Sequence, residues 1–296
     1  MFKRESSGEF NGAVCTLNLR ANVLIIDVRM IFDLTEEVAV VIGATGVLGG
    51  KMAEGLAQAG AKVAVLGRHA GRGEACVERI RQAKGEARFF AADAVSRDSL
   101  RQAGEQIQAA FGPPTVLVNA AGGADSKTIV TEQLKFEQIA LEDWRANFDL
   151  NLVGGVLLPC QEFGPGMVAR GRGSIINIAS VAAHVALSRV AAYAAAKAAV
   201  LNLTQFLARE WGPRNVRVNT ITPGFFPAEQ NRRLLFQEDG APTLRAKSIL
   251  THTPMGRFGR AEELIGAAVF LASERASSFV TGSDVRVDGG FLSQTI

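Results

Sequence analysis

Tyr193 and Lys197 stand four apart in Tyr-Ala-Ala-Ala-Lys, a spacing that puts a phenol and an ammonium on one face of a helix, about one turn from each other. Tyr193 is the only tyrosine in the sequence. A phenol with a pKa near ~10 is a poor acid or base at neutral pH, and a nearby ammonium lowers that value by favouring the phenolate. The chemistry such a pair serves is proton transfer at a substrate oxygen. A lone pair of this kind is more often structural. Here Ser180 follows the apolar run 174–178, and strand ends are where α/β proteins place their sites.

A second cluster is built from residues that have almost no side chain. Gly43-Ala-Thr45-Gly46-Val47-Leu48-Gly49 follows the apolar run 38–42 and precedes a helical stretch to position 59. A glycine turn between a buried strand and a helix lets backbone N–H groups and the positive helix end meet a pyrophosphate without obstruction by Cβ atoms. That context turns a glycine trio, otherwise a tight turn only, into a dinucleotide site. After the second apolar run, 62–66, come Gly67 and Arg68, with Arg72 close by and no carboxylate in the turn. An acid there would suit a ribose 2′-hydroxyl, whereas an arginine suits a 2′-phosphate, so NADP(H) is favoured and NAD(H) possible. An ordinary solvated arginine is the bland alternative.

Positioning these groups takes alternating β-branched runs and amphipathic segments, which is how successive βαβ units read when parallel strands are buried on both faces. Strands are expected at 38–42, 62–66, 88–92, 115–119, 174–178, 216–221 and 284–287, with helices at 70–83, 99–111, 141–158, 193–211 and 261–273. The fold class is α/β: a Rossmann-like, doubly wound, parallel seven-stranded sheet with helices on both faces, in one domain over 32–296, preceded by an N-terminal extension, 1–31. Connections 123–140 and 225–259 exceed the usual few residues, which marks them as functional, and 225–259 reads as a lid over the substrate.

Composition fits one large domain. The 296 residues carry 32 Lys and Arg against 29 Asp and Glu, with no dense basic run, so nucleic acid is not implied. Three scattered cysteines form no C-x-x-C, which argues for a reduced, cytoplasmic setting and against zinc or a disulfide framework. No apolar run approaches a membrane span of about 20 residues. His69, His184 and His252 lack any paired ligand spacing, so no metal is expected, although His184, four residues after Ser180, is a candidate for the substrate cleft.

From Phe32 to Phe291 the sequence resembles the short-chain dehydrogenase/reductase family. Besides the glycine turn, Ser180, Tyr193 and Lys197, the resemblance rests on Asp93-Ala94 after the third strand, Asn119-Ala120-Ala-Gly122 after the fourth, Asn151 in Asn-Leu-Val-Gly, Pro223-Gly224, and Val287-Asp-Gly-Gly290. It implies that Tyr193 is the acid/base toward the substrate oxygen, that Ser180 hydrogen-bonds that oxygen, and that Lys197 holds the nicotinamide ribose and lowers the tyrosine pKa. It further implies that Asn151 anchors a proton-relay water, and that the cofactor is met by Gly43, Thr45, Gly46, Val47, Leu48, Gly49, Arg68, Asp93, Ala94, Asn119, Ala120, Gly122, Pro223 and Gly224 as well as Tyr193 and Lys197. One departure stands out: the family's turn is usually G-x-x-x-G-x-G, and here its middle glycine is Val47, with Gly46 one place early.

Within that family, the segments Pro223-Gly-Phe-Phe-Pro-Ala-Glu-Gln-Asn-Arg232 and Thr253-Pro-Met-Gly-Arg-Phe-Gly259 look like those of its D-mannonate oxidoreductases, also called fructuronate reductases. The substrate so implied is a sugar acid, D-fructuronate or D-mannonate, and the assembly a homotetramer. A carboxylate with several hydroxyls calls for a cation and amides, which Gln230, Asn231 and Arg232 offer. Two other readings remain open: a reductase of the same family for a keto-gluconate or a 3-oxoacyl thioester, and a cofactor-binding regulator that kept the fold without catalysis.

Overall fold

A strand without polar alternation is stable only where helices cover both its faces, because each face must then leave water. In the computed structural model, which describes residues 28–228 and 231–294, the first half of the protein runs α1 (Val28–Ile31), β1 (Val38–Ile42), α2 (Val47–Gln58), β2 (Lys62–Gly67), α3 (Ala70–Gln82), β3 (Glu86–Ala91), α4 (Arg97–Phe111) and β4 (Val116–Asn119). The second half runs α5 (Leu141–Phe148), a π-helical segment (Asp149–Leu157), α6 (Leu158–Arg170), β5 (Gly173–Ile178), α7 (Ala191–Trp211), β6 (Val216–Pro223), α8 (Arg232–Leu235), α9 (Leu244–His252), α10 (Ile265–Ala272), α11 (Glu274–Ser277) and β7 (Asp284–Val287). Every residue of β1 is buried, and the strand splits its side chains by the period of two: Ala39 and Val41 join Met52, Leu56, Val77 and Leu271 on one face, while Val38, Val40 and Ile42 join Leu100, Ile107 and Val200 on the other.

The sheet order is β3-β2-β1-β4-β5-β6-β7 and all six pairings are parallel. This is the expected seven-stranded doubly wound architecture. The winding reverses between β1 and β4, so the backbone leaves those neighbouring strands in opposite directions and opens a crevice at their carboxyl ends. The glycine turn follows β1 and Gly122 follows β4, so both lie at that crevice.

Two helices depart from expectation. The helix expected at 141–158 runs on to Arg170 through the π-helical segment, with Pro165 inside it. The expected 261–273 helix opens instead with a 3₁₀ turn, Ala261–Leu264, ahead of α10. At the other end, the backbone carbonyls of Met30 and Ile31 accept from Arg275 and Ser273, so ties to the domain begin before position 32. Most of the proposed extension, residues 1–27, lies outside the described residues.

Segment 225–259 is a folded module. The Gly259 N–H donates to the Phe225 carbonyl at 2.9 Å and closes its base. Leu235, Ala246 and Ile249 form a small core of their own, packed against Phe225, Phe236 and Phe258.

Candidate active site

The crevice is shaped by close backbone approaches that only glycine permits. Gly43 has φ +81°, and a Cβ there would stand 2.6 Å from the Ala121 nitrogen and 2.8 Å from the Ala120 carbonyl. A Cβ on Gly49 would stand 2.5 Å from the Gly43 oxygen. Gly46 caps α2 without a side-chain hydrogen bond, which leaves the first N–H groups of α2 for an anion. Val47 fits in place of the family's usual glycine because it is the first residue of α2 and its side chain is 45% exposed, clear of the packed side of the turn. The cradle suits a dinucleotide pyrophosphate on these grounds alone.

Around it lie the other residues assigned to the cofactor. Thr45 packs against the end of β2, where a Cβ on Gly67 would meet its Cγ2 at 2.5 Å, and Leu48 packs beside the core. Arg68 is exposed just beyond β2. Asp93 closes its own turn, its Oδ1 accepting from the Val95 N–H at 3.2 Å, with Ala94 between them. The Ala120 N–H donates to the Ile42 carbonyl at 2.9 Å, which fixes the β4 exit against β1. Gly224, after Pro223, donates to the Val287 carbonyl at 2.9 Å, and a Cβ on it would stand 2.7 Å from the Asp288 Cα. Asn119 points elsewhere: its Nδ2 donates to Asn177 Oδ1 at 2.8 Å, and Asn177 in turn donates to Thr204 Oγ1, so the side chain ties β4 to β5 and α7. Among the described residues, Asn119 Oδ1 is left buried without a hydrogen-bond partner.

The proton-transfer group forms one cluster. Ser180 follows β5, is buried, and accepts from the Ala182 N–H at 3.2 Å, which fixes its hydroxyl. Tyr193 and Lys197 share a face of α7, with Lys197 Nζ 5.8 Å from the centre of the Tyr193 ring. Lys197 is buried and donates to the Ile178 carbonyl at 2.7 Å. Burial without a carboxylate partner pulls its pKa down to about 8. For Tyr193 the lowering expected from Lys197 does not prevail: burial pushes the phenol pKa up, and the opposing influence is its hydrogen bond with Ser180. The site thus holds a neutral phenol, suited to donating a proton.

Asn151 is fully buried and ties this cluster to the 123–140 connection. Its Oδ1 accepts from the Gly123 N–H and its Nδ2 donates to the Gly123 carbonyl, both at 2.9 Å. The same Nδ2 donates to the Asn147 carbonyl at 2.9 Å, which in a regular helix would take the Asn151 backbone N–H. A side chain competing for that acceptor accounts for the π-helical register here. A Cβ on Gly122 would meet Asn151 Oδ1 at 2.5 Å and Lys197 Nζ at 3.4 Å, so the three residues are neighbours. Asn147 is a site residue that the sequence reading does not include, although Asn-x-x-x-Asn on a helix is a visible signal.

The residues assigned to the substrate are more scattered. His184 is half-buried and turns toward the sheet, with Nε2 3.2 Å from Asp284 Oδ2 and 3.4 Å from Thr222 Oγ1. Asn231 spends its amide on its own loop, accepting from the Ala228 N–H at 2.8 Å and donating to the Phe226 carbonyl at 2.9 Å. Arg232 is exposed with its guanidinium 5.7 Å from the Phe236 ring centre. Gln230 lies outside the described residues. Among the described residues, no group of three or more His, Cys, Asp or Glu is placed to hold a metal ion, and no helix is long and apolar enough to cross a membrane.

Similarity to known proteins points the same way as this geometry. The enoyl-(acyl carrier protein) reductase family matches residues 43–292. The Bacillus subtilis uncharacterized oxidoreductase UxuB is 39% identical over 270 residues, 88% of this chain and 96% of that protein. A solved structure from Haemophilus influenza, provisionally assigned as a D-mannonate oxidoreductase and carrying NAD, superposes with TM-score 0.84 at 36% identity, covering 91% of this chain and 99% of that one. Gluconate 5-dehydrogenase from Burkholderia cenocepacia, in complex with NADP and tartrate, superposes with TM-score 0.82 at 33% identity, covering 91% of this chain and 100% of that one. The protein belongs to the short-chain dehydrogenase/reductase family of oxidoreductases. Within it, its near relatives include oxidoreductases of the UxuB and D-mannonate type.

Proposed function

We propose that the protein is an NAD(P)-dependent oxidoreductase that interconverts a keto sugar acid and its alcohol, with D-fructuronate and D-mannonate as the pair. The observation that carries the oxidoreductase reading is the single cluster of Ser180, Tyr193, Lys197 and Asn151 beside the glycine cradle. The hexuronate reading is supported by the likeness to the Haemophilus structure. A bound nicotinamide supplies or accepts the hydride at the carbonyl carbon. Tyr193 gives its phenolic proton to the carbonyl oxygen as the alcohol forms, and takes it back in the reverse direction. Ser180 donates a hydrogen bond to the same oxygen and holds it at the phenol. The ammonium of Lys197 faces the ribose and stabilises the phenolate that remains. Asn151, locked by Gly123 and Asn147, keeps the β4 exit in register with α7 and holds the water that returns a proton. The 225–259 module closes over the substrate and excludes solvent. NADP(H) is the preferred cofactor, on the strength of Arg68. The assembly is a homotetramer, to which α7 contributes the exposed Phe206.

A second reading, a keto-gluconate reductase, is favoured by the likeness to gluconate 5-dehydrogenase. Both are tested by following nicotinamide absorbance with D-fructuronate, 5-keto-D-gluconate and an uncharged ketose. Turnover fastest on D-fructuronate supports the first reading, fastest on 5-keto-D-gluconate the second, and none on either overturns both.

A further inference from the structure

Within the loop between Ser180 and Tyr193, Arg189 adopts a left-handed conformation, φ +75°. This conformation is strained for a residue with a Cβ, and such outliers gather at ligand sites when the surroundings hold them in place. Two surrounding segments do so. The Val130 N–H, from the other long connection, donates to the Arg189 carbonyl at 2.9 Å. From the 225–259 module, Arg245 donates to Ser188 Oγ at 2.7 Å and to the Ser188 carbonyl at 3.4 Å. Both long connections therefore converge on Ser188 and Arg189, and the Val190 carbonyl beside them accepts from Ala194 in the first turn of α7, which carries Tyr193.

The charge at this junction is one-sided. Among the described residues, no carboxylate forms an ion pair with Arg189 or Arg245. Arg245 is half-buried, and desolvation together with the charge of Arg189 pushes its pKa down. It also lies in the first turn of α9, capped by Thr243, where the helix end is itself positive. The hydrogen bonds to Ser188 use two of the five guanidinium N–H donors. Arg245, half-buried at a helix terminus beside the exposed Arg189, has no acid among the described residues to neutralise it, and an anion would stabilise such a place.

Resting on the reading that the substrate is a sugar acid, we propose that Arg245, with Arg189, binds the substrate carboxylate, the role expected of Arg232. In a six-carbon keto acid of this class the carboxyl carbon is four C–C bonds from the keto carbon, about 5 Å at ~1.5 Å per bond with bond angles included. The carboxylate must therefore reach the loop that leads into Tyr193 while the keto oxygen meets the phenol. Arg245 is carried by the module and already touches this loop at Ser188, so the acid group of the substrate would complete a contact that the module begins.

The test compares Arg245→Ala, Arg245→Lys and Ser188→Ala in the full-length protein with D-fructuronate and with D-fructose, its uncharged counterpart. Arg245→Ala is expected to raise KM for D-fructuronate on the order of tenfold to a hundredfold, with KM for D-fructose unchanged and Arg245→Lys between the two. Ser188→Ala keeps the cations and removes the strap, and is expected to leave the ratio of the two KM values as in the parent. Equal effects of Arg245→Ala on both substrates, or a Ser188→Ala variant that reproduces them, would assign Arg245 a purely structural strap and overturn the proposal. Melting shifts with NADP+ plus D-mannonate, D-gluconate or D-mannitol separate this from the substrate assignment. If D-fructuronate is not turned over but Arg245→Ala abolishes the extra stabilisation by carboxylates over D-mannitol, the hexuronate reading fails and the anion site stands. If carboxylates stabilise the parent no more than D-mannitol does, the anion site fails.

Discussion

The crevice between β1 and β4 and the 225–259 module both border the site, and they are built on opposite principles. At the crevice, backbone meets backbone, and Gly43 and Gly49 sit where a Cβ would overlap neighbouring main-chain atoms. In the module, Gly240 has φ +83°, nearly the angle of Gly43, yet nothing lies within 4 Å of where its Cβ would be. The crevice is fixed by the largest apolar clusters of the molecule, the module by three buried residues and three aromatic rings. A cofactor common to many enzymes can be met by rigid backbone, whereas a particular substrate is met by side chains on a small, separately packed piece.

The sharpest way to break this division is to remove the proton donor and ask whether the crevice notices. Tyr193→Phe is expected to lower kcat roughly a thousandfold while the dissociation constant for NADP+, measured by fluorescence titration, stays within about twofold. Residual turnover above a tenth of the parent would take the proton-transfer role from Tyr193.

Next in size is the pair of glycines with matching angles. Gly43→Ala adds the left-handed strain, roughly 1–2 kcal/mol, to a clash with backbone that cannot move cheaply, so a loss of about 3 kcal/mol or more in urea unfolding is expected, with weakened cofactor binding. Gly240→Ala carries the strain alone, so a loss of about 1 kcal/mol is expected with cofactor binding unchanged. Equal losses would erase the contrast between a packed cradle and an open turn.

The same contrast decides what the sequence can reveal. Val38–Ile42 is bounded by sequence alone because its five apolar residues stand between a charge, Glu37, and a glycine turn that opens at Gly43. The Tyr193 and Lys197 pair is legible because its spacing is local to a helix. The run of helix to Arg170 is not foreseeable from a stretch that holds Pro159 and Pro165: Pro159 sits where α6 starts, just after the π-helical segment, and the Asn151 side chain that disturbs the register there is itself held by Gly123, far away in sequence. Nearness to Ser180 in sequence assigns His184 to the cleft, but its orientation is set by Asp284, which reaches it only across the finished sheet. The choice between Arg232 in α8 and Arg245 in α9 depends on how the module folds against the Ser188 loop, and composition holds no such information.

A pH profile sharpens the account of the catalytic cluster. Lys197 has its pKa lowered to about 8, so it is an ammonium below that pH and loses its charge above it. Tyr193, with its pKa raised by burial, keeps its proton through the same range. Carbonyl reduction, which needs both protonated, is therefore expected to show a kcat/KM that is flat at lower pH and falls as pH rises through about 8, by up to tenfold per pH unit. The linked effect on stability has the opposite sense: the folded state holds fewer protons than the unfolded one between about 8 and the ordinary lysine value of 10.5, so the burden of the buried ammonium is fully present below about 8 and lifts as pH rises through that window. A reductive profile flat to pH 10 would remove Lys197 from the charge-bearing role.

The smallest expected effect lies at the exposed rim of the crevice, where side chains again replace backbone. Arg68 and Arg72 are both exposed, and the turn after β2 offers Gly67, Arg68 and His69 with no carboxylate to meet a ribose 2′-hydroxyl. Solvent screens an exposed guanidinium, so its contact with a 2′-phosphate is worth less than that of the half-buried Arg245 with a carboxylate. Arg68→Ala is accordingly expected to lower kcat/KM for NADP(H) by about tenfold or less and to leave kcat/KM for NAD(H) unchanged, since only the phosphorylated cofactor has a charge for this arginine to meet. Steady-state rates with each cofactor decide the matter. A parent that prefers NAD(H), with a preference unmoved by Arg68→Ala, would show that this rim discriminates by the shape of the backbone turn, as the rest of the crevice does, and would extend the backbone principle to the whole cofactor half.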